Sequence, residues 1–158
     1  MFYKFRSMHC DADDQIHRDF VSSLIKGHHD LINQQDDLDP LFKIKSDPRV
    51  TPVGRIIRQT SIDELPQLFN VLKGDMSLVG PRPPLPYEAM EYQSWHLRRI
   101  LEIRPGITGL WQVEGRSKVS FDEMVRMDLR YIKNRSFFYD LKLLLMTVKV
   151  VLKQKGAK

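Results

Sequence analysis

Apolar side chains recur along this chain at helical spacing, most clearly in SIDELPQLFNVLKG. There Leu65, Leu68, Phe69 and Leu72 fall at i, i+3, i+4 and i+7, one stripe of a helix. Ser61 with Glu64 three residues on has the form of a capping box, and Gly74 supplies a stop. Pro66 is best tolerated in a first turn, so the regular helix is expected to begin nearer Glu64, with Asp63 and Glu64 at or just before its N-terminus. Three more helices are predicted. Residues 16–34 carry Ile16, Phe20, Leu24 and Leu31 on a patchy face interrupted by Gly27; residues 88–103 end at RPG; residues 121–134 set Met124, Met127 and Tyr131 on one side. Residues 2–8, FYKFRSM, mix aromatic and basic positions and read as a short strand. The connections are punctuated differently. QQDDLDP (34–40) is a polar turn, SDPRVTPVG (46–54) a loop, and GITGLWQVEGRS (106–117) glycine-broken and irregular. Between Pro81 and Pro86 the prolines are so dense that the segment is expected to form a stiff, polyproline-like strap.

The last segment, DLKLLLMTVKVVLKQKGAK, patterns differently. At about 100° per residue, Lys142, Lys149 and Lys153 project within roughly 20° of one direction, while nearly every other position from 141 to 152 is apolar. A surface helix normally has a broader polar face. Two readings stay open: a membrane-interface helix with snorkelling lysines, or a buried helix with a thin solvated edge.

Composition narrows the class. The 158 residues carry 25 Lys+Arg against 20 Asp+Glu, a net charge of +5, with 42% apolar residues, as expected of one globular domain. Cys10 is the only cysteine, which excludes an intramolecular disulfide and a cysteine-based zinc site. The apolar run at 141–152 is shorter than the ~20 residues a membrane span needs, and MFYKFRSM has no signal-peptide core. The sequence pI of 9.4 raises nucleic-acid binding as a class, but no helix-turn-helix, RNP or finger pattern accompanies it. The histidines show no supported ligand spacing.

Taken alone, Asp63 and Glu64 have an ordinary reading, because acidic residues at a helix start complement its dipole by about 0.3–1 kcal/mol each. Their surroundings favour chemistry. Arg55 and Arg58 lie just before the pair, Arg82 rides on the proline strap, and Arg116 sits in the glycine-flanked EGRS loop. Arginines held on rigid segments near two carboxylates suit an anionic, phosphate-bearing substrate.

KFRSM (4–8), DPRVTPVGRIIRQTSIDELPQLFNVLKGDMSLVGPRP (47–83), RPGITGLWQVEGRS (104–117) and MDLRYIKNRSFFYDLKLLLMTVKVVL (127–152) together resemble the bacterial sugar transferase family, in family order and over nearly all of the chain except residues 9–45. These are monotopic polyprenyl-phosphate phosphoglycosyl transferases that initiate exopolysaccharide and O-antigen assembly. The resemblance implies an α/β fold, mainly helical with a small strand element and irregular Pro/Gly loops. It implies transfer of a phospho-sugar from a UDP-sugar to polyprenyl (undecaprenyl) phosphate, releasing UMP. Asp63 and Glu64 match the catalytic dyad, with Asp63 as nucleophile forming an aspartyl phospho-sugar and as the Mg²⁺ ligand. Arg58, Arg82 and Arg116 match phosphate-binding positions. Lys4, Asp128 and Asp140 match recurrent polar positions whose roles stay open beside ordinary surface readings.

The family places a hydrophobic membrane segment ahead of the KFRSM stretch, whereas this sequence opens at Met1 inside that motif. The expectation is a single catalytic domain over 1–158, shortened at its N-terminus, at the cytoplasmic face of the bacterial inner membrane. Its partners would be a UDP-sugar, polyprenyl phosphate and the membrane surface, not nucleic acid. The alternative is an impaired remnant that binds nucleotide sugar or membrane without turnover. Neither the sugar nor the oligomeric state is legible.

Overall fold

The helix expected at 121–134 forms over those residues, and its inner face organises the core. Ser120 accepts a hydrogen bond from the Glu123 amide on Oγ (3.2 Å) and gives its own amide to Glu123 Oε2 (3.0 Å), a closed capping box. Phe121, Met124, Val125, Asp128 and Tyr131 then point inward at helical spacing. The computed structural model describes residues 2–26, 47–115 and 119–152. In chain order the elements are α1 (Gln15–Ile25), α2 (Pro52–Gln59), a 3₁₀ turn (Ile62–Glu64), α3 (Gln67–Leu72), β1 (Ser77–Val79), α4 (Pro86–Met90), α5 (Ser94–Leu101), β2 (Gly106–Thr108), a π-type turn (Trp111–Gly115), α6 (Phe121–Asn134) and α7 (Phe137–Leu152).

The fold is thus mainly helical around one two-stranded parallel sheet. Ser77 faces Gly106 and Val79 faces Thr108. Gly106 allows the close crossing, since a Cβ there would strike the backbone of Gly80 and Val79. One end of the sheet meets α7, where the Thr108 and Thr147 hydroxyls lie 2.7 Å apart and Thr147 also donates to the Leu143 carbonyl. Val79, Leu110, Trp111, Val113, the inner face of α6, Leu143 and Leu24 make up the core. His96 joins α5 to α6. Its Nδ1 accepts from the Gln93 amide (3.1 Å) and its Nε2 lies 3.1 Å from Asp122 Oδ1, with burial holding its pKa below the usual value.

Several expectations are corrected. Among the described residues, 2–7 join no strand, because backbone groups of Tyr3, Phe5 and Ser7 are spent on helices and turns, while Met8 forms an isolated antiparallel bridge with Val50. The helix read at 16–34 is α1, which closes at Lys26; residues 27–34, the turn at 34–40 and Arg116 lie outside the described residues. The expected loop at 46–54 turns helical at Pro52, because Thr51 caps α2 by accepting from Gly54 and proline suits the first helical position. The span 88–103 is two short helices, α4 and α5, and the span read as irregular holds β2 and the π-type turn. α7 buries only Leu143, and leaves Phe137, Phe138, Leu141, Leu145, Val148 and Leu152 exposed, so the buried-helix reading does not hold. No helix among the described residues is long and apolar enough to cross a membrane.

Gly54 sits on the buried side of α2, where a Cβ would collide with the Ser7 carbonyl. Gly54→Ala is expected to lower unfolding free energy by about 1–3 kcal/mol, measured by denaturant titration, because backbone on one side cannot yield as a side chain would.

Candidate active site

Asp63 and Glu64 stand on the 3₁₀ turn rather than on the first turn of an α-helix. The reason lies in Pro66, which has no amide to give to the Ile62 carbonyl and whose ring would crowd that carbonyl. The chain closes the shorter bond instead, Leu65 N to Ile62 O at 3.1 Å, and α3 starts only at Gln67. The capping box expected from Ser61 and Glu64 therefore does not form. Ser61 instead adopts φ 58°, the left-handed region, with no side-chain cap. The turn buries Asp63 to 3% exposure while Glu64 stays half-buried.

The N-terminal residues lie across this turn and fasten it. Phe5 donates its amide to the Asp63 carbonyl (3.0 Å), and Tyr3 donates to the side chain of buried Asn70 on α3 (2.9 Å). Ser7 accepts from the Thr51 amide on its carbonyl and from Arg58 Nε on its hydroxyl, at 3.1 and 2.8 Å. The result aims Lys4 at the acidic pair. Its Nζ lies 3.0 Å from Asp63 Oδ2 and 3.2 Å from Glu64 Oε1, one cation shared by two carboxylates. Lys4, Asp63 and Glu64 are thus brought into direct contact, while Arg58 is bonded to Ser7 of the same N-terminal segment.

The convergence of two carboxylates on one cation is also the test for Mg²⁺. Among the described residues no group of three or more His, Cys, Asp or Glu assembles. A hard divalent ion can nonetheless be held by one or two carboxylates when substrate phosphates and water complete its shell, and the donor set of Asp63 and Glu64 fits that habit.

Asp128 and the strap that carries Arg82 are joined through Arg99, while Asp140 lies apart from them on Tyr131. Asp128 is not a surface aspartate: it is fully buried in the α6 stripe, 2.8 Å from Arg99 Nη2. Burial pushes its carboxyl up to about 6, against the pull of Arg99. Arg99, itself 2% exposed, also donates from Nη2 to the backbone carbonyl of Arg82 at 3.2 Å. Arg82 is exposed on the strap, whose residues 81–85 take no regular secondary structure, whereas Pro86, expected to belong to it, opens α4 because proline suits a first helical position. Asp140 accepts from Tyr131 Oη at 2.7 Å, and burial with this bond holds the Tyr131 phenol well above its usual range. Beside Asp140 an open cleft of about 730 Å³ runs between Val71 of α3, Leu78 of β1 and Phe137 and Leu141 of α7, with Arg104 and Arg135 on its walls.

Arg99, Ser7 and Asn70 escaped the sequence reading. For Arg99 a signal existed: Asp128 interrupts an otherwise apolar stripe, so a buried cation had to face it. Ser7 and Asn70 act through contacts spanning 51 and 67 residues, which no local pattern encodes.

A profile of the bacterial sugar transferase family matches residues 1–154. The chain is 51% identical over 158 residues to the galactosyl transferase CpsE of Streptococcus agalactiae, covering 99% of this chain and 32% of that protein. It is 46% identical over 155 residues to an undecaprenyl-phosphate galactose phosphotransferase of Salmonella typhimurium, covering 98% of this chain and 31% of that protein. The ExoY exopolysaccharide production protein of Sinorhizobium fredii is 38% identical over 154 residues, 98% of this chain and 64% of its own length. The chain thus spans about a third of the length of the first two relatives.

The left-handed Ser61 fixes how the acidic turn leaves α2. Ser61→Gly is expected to be neutral or stabilising, and Ser61→Val to cost about 1–2 kcal/mol, compared by denaturant midpoints.

Proposed function

The chain belongs to the bacterial sugar transferase family, and from that premise we propose that it transfers a phospho-sugar from a UDP-sugar to a polyprenyl phosphate at the cytoplasmic membrane surface. The observation that carries this reading is the Lys4–Asp63–Glu64 cluster, two carboxylates and one ammonium on a turn that the N-terminal residues hold in place. In this reading an Asp63 carboxylate oxygen attacks the sugar-bearing phosphorus, the bond from that phosphorus to the UMP oxygen breaks, and UMP leaves with the electron pair. An oxygen of the polyprenyl phosphate then attacks the same phosphorus and restores the carboxylate. Splitting one displacement into two through an acyl phosphate is ordinary covalent catalysis.

An aspartate needs no base to become a nucleophile at neutral pH; its obstacle is repulsion by the diphosphate. Lys4 answers part of that, since its ammonium, 43% exposed in side-chain area, can exchange carboxylate for phosphate oxygen. Arg58, Arg82 and Arg116 are assigned to the phosphates by their place in the family motifs, and Glu64 to orienting the site. Asp63 with Glu64 would hold Mg²⁺, which when bound offsets charge on the diphosphate. Galactose is the first sugar to test, because relatives include a UDP-galactose-lipid carrier transferase from Erwinia amylovora.

The exposed apolar residues support the membrane part. The predicted stripe of Leu65 at the end of the acidic turn and Leu68, Phe69 and Leu72 on α3 faces outward, with Leu72 82% exposed, and Phe138, Leu141, Leu145 and Val148 form an outward ridge on α7. Lys142 and Lys149 border that ridge, where snorkelling would carry their ammonium groups to lipid phosphates.

After incubation with UDP-galactose and Mg²⁺, mass spectrometry is expected to find a hexose-phosphate adduct on the peptide containing Asp63. Asp63→Asn should abolish it and lower turnover by at least about a thousandfold; an adduct persisting in that variant removes Asp63 as nucleophile. Flotation with anionic phospholipid vesicles is expected to recover the chain. Phe138→Ser with Leu145→Ser should weaken that partition by about tenfold or more, and unchanged partition would exclude this face.

A further inference from the structure

The strap that carries Arg82 has an unusual problem of attachment. Pro81, Pro83, Pro84 and Pro86 have no amide hydrogen, and the Leu85 amide is used locally, on Glu88 Oε2 at 3.0 Å, so bonds from the rest of the fold reach the segment through its carbonyl oxygens. Two such anchors exist: Gly106 donates its amide to the Pro81 carbonyl at 2.8 Å, and Arg99 donates to the Arg82 carbonyl at 3.2 Å. Arg82 also precedes a proline, which confines its backbone to the extended region. With the backbone so confined, fixing the plane of the Arg82 carbonyl fixes the Cα–Cβ bond from which this exposed side chain leaves the strap, and so the region its guanidinium can reach.

The anchor itself is costly. Arg99 and Asp128 are 2% and 0% exposed in side-chain area, and their 2.8 Å contact is made without a well-directed hydrogen bond to either carboxylate oxygen. Among the described residues Arg99 Nε likewise has no hydrogen-bond partner. A buried pair of this kind is a poor source of stability, because well-packed apolar side chains commonly do as well or better. What apolar side chains in these places cannot do is reach the strap carbonyl.

We infer that Arg99 is a positioning residue: seated on Asp128 inside the core, it holds the Arg82 peptide and thereby aims the Arg82 guanidinium at the phosphate of the nucleotide sugar. The assignment of Arg82 to that phosphate rests on the function proposed above; the tether from core to strap does not. Asp128 acts at one remove, as the counter-charge that keeps Arg99 in place.

The test replaces the pair together, Arg99→Met with Asp128→Leu, which removes the tether without stranding a buried charge. The variant is expected to melt at or above the wild-type temperature, to lose about ten- to a hundredfold in kcat with UDP-galactose, and to change KM less. In an Arg82→Ala background the same pair should cost less than about twofold, since the group it aims is gone. A folded variant with wild-type kcat, or a loss that multiplies fully with that of Arg82→Ala, overturns the inference. Amide exchange separates this from the function proposed above. The Gly106 amide, bonded to the strap, should exchange at least about tenfold faster in the pair variant, and unchanged exchange overturns the tether even if the wild-type chain turns over no UDP-sugar. If the pair variant does not fold, Arg99→Lys keeps a charge against Asp128 with a shorter, unforked reach; the same kcat loss and the same non-additivity are expected, and full activity overturns the inference.

Discussion

A proline offers no amide hydrogen, and both segments that carry the site are shaped by that lack. At Pro66 the missing donor stops a helix from running back through the acidic pair, so the chain folds a 3₁₀ turn entered through a left-handed serine. At Pro81–Leu85 it leaves a strap without regular secondary structure that accepts hydrogen bonds from the rest of the fold, while Pro86 opens α4. Neither segment is held by regular secondary structure of its own. Each is fastened from outside: the turn by the N-terminal residues through Phe5 and Lys4, the strap by Gly106 and Arg99. The rest of the molecule supplies those outside groups at fixed positions.

How much of this is legible in the sequence follows from the range of the interaction. Ser120 and Ser61 both stand three residues before a glutamate, yet only Ser120 closes its capping box. The difference is the proline two residues after Glu64, a local cue that can be weighed without coordinates. α6 and the core faces of Met124, Met127 and Tyr131 are legible for the same reason: their signal lies within a few turns of helix. The short strands are not, since Ser77–Val79 and Gly106–Thr108 are three residues each and acquire their extended form by pairing across the sequence. Residues 2–8 have strand composition but spend their backbone groups on α2, α3 and the acidic turn, so composition misleads there. In the site, Asp63 and Glu64 could be chosen from sequence, whereas the contact between Lys4 and both carboxylates depends on chain segments 60 residues apart.

The apolar stripe on α3 teaches a related lesson. Its period reports a helix correctly, but period alone does not say which side faces the core. Here Asn70, a polar residue, is buried against the N-terminal segment, while Leu72 and Phe69 face outward. With the α7 ridge, the stripe gives the domain two exposed apolar faces, the surfaces on which the proposed membrane contact rests.

Lys4 gives the site a threshold. An ammonium already shared by two carboxylates has little to gain from a neutral solute or a weak anion, and more to gain from a diphosphate. In the proposed reaction, an incoming diphosphate would compete with Asp63 and Glu64 for this ammonium, and the aspartate would be uncovered as the exchange occurs. Because one partner of the pair is half exposed, dissolved salt weakens it, and the selectivity of the entrance would relax as ionic strength rises.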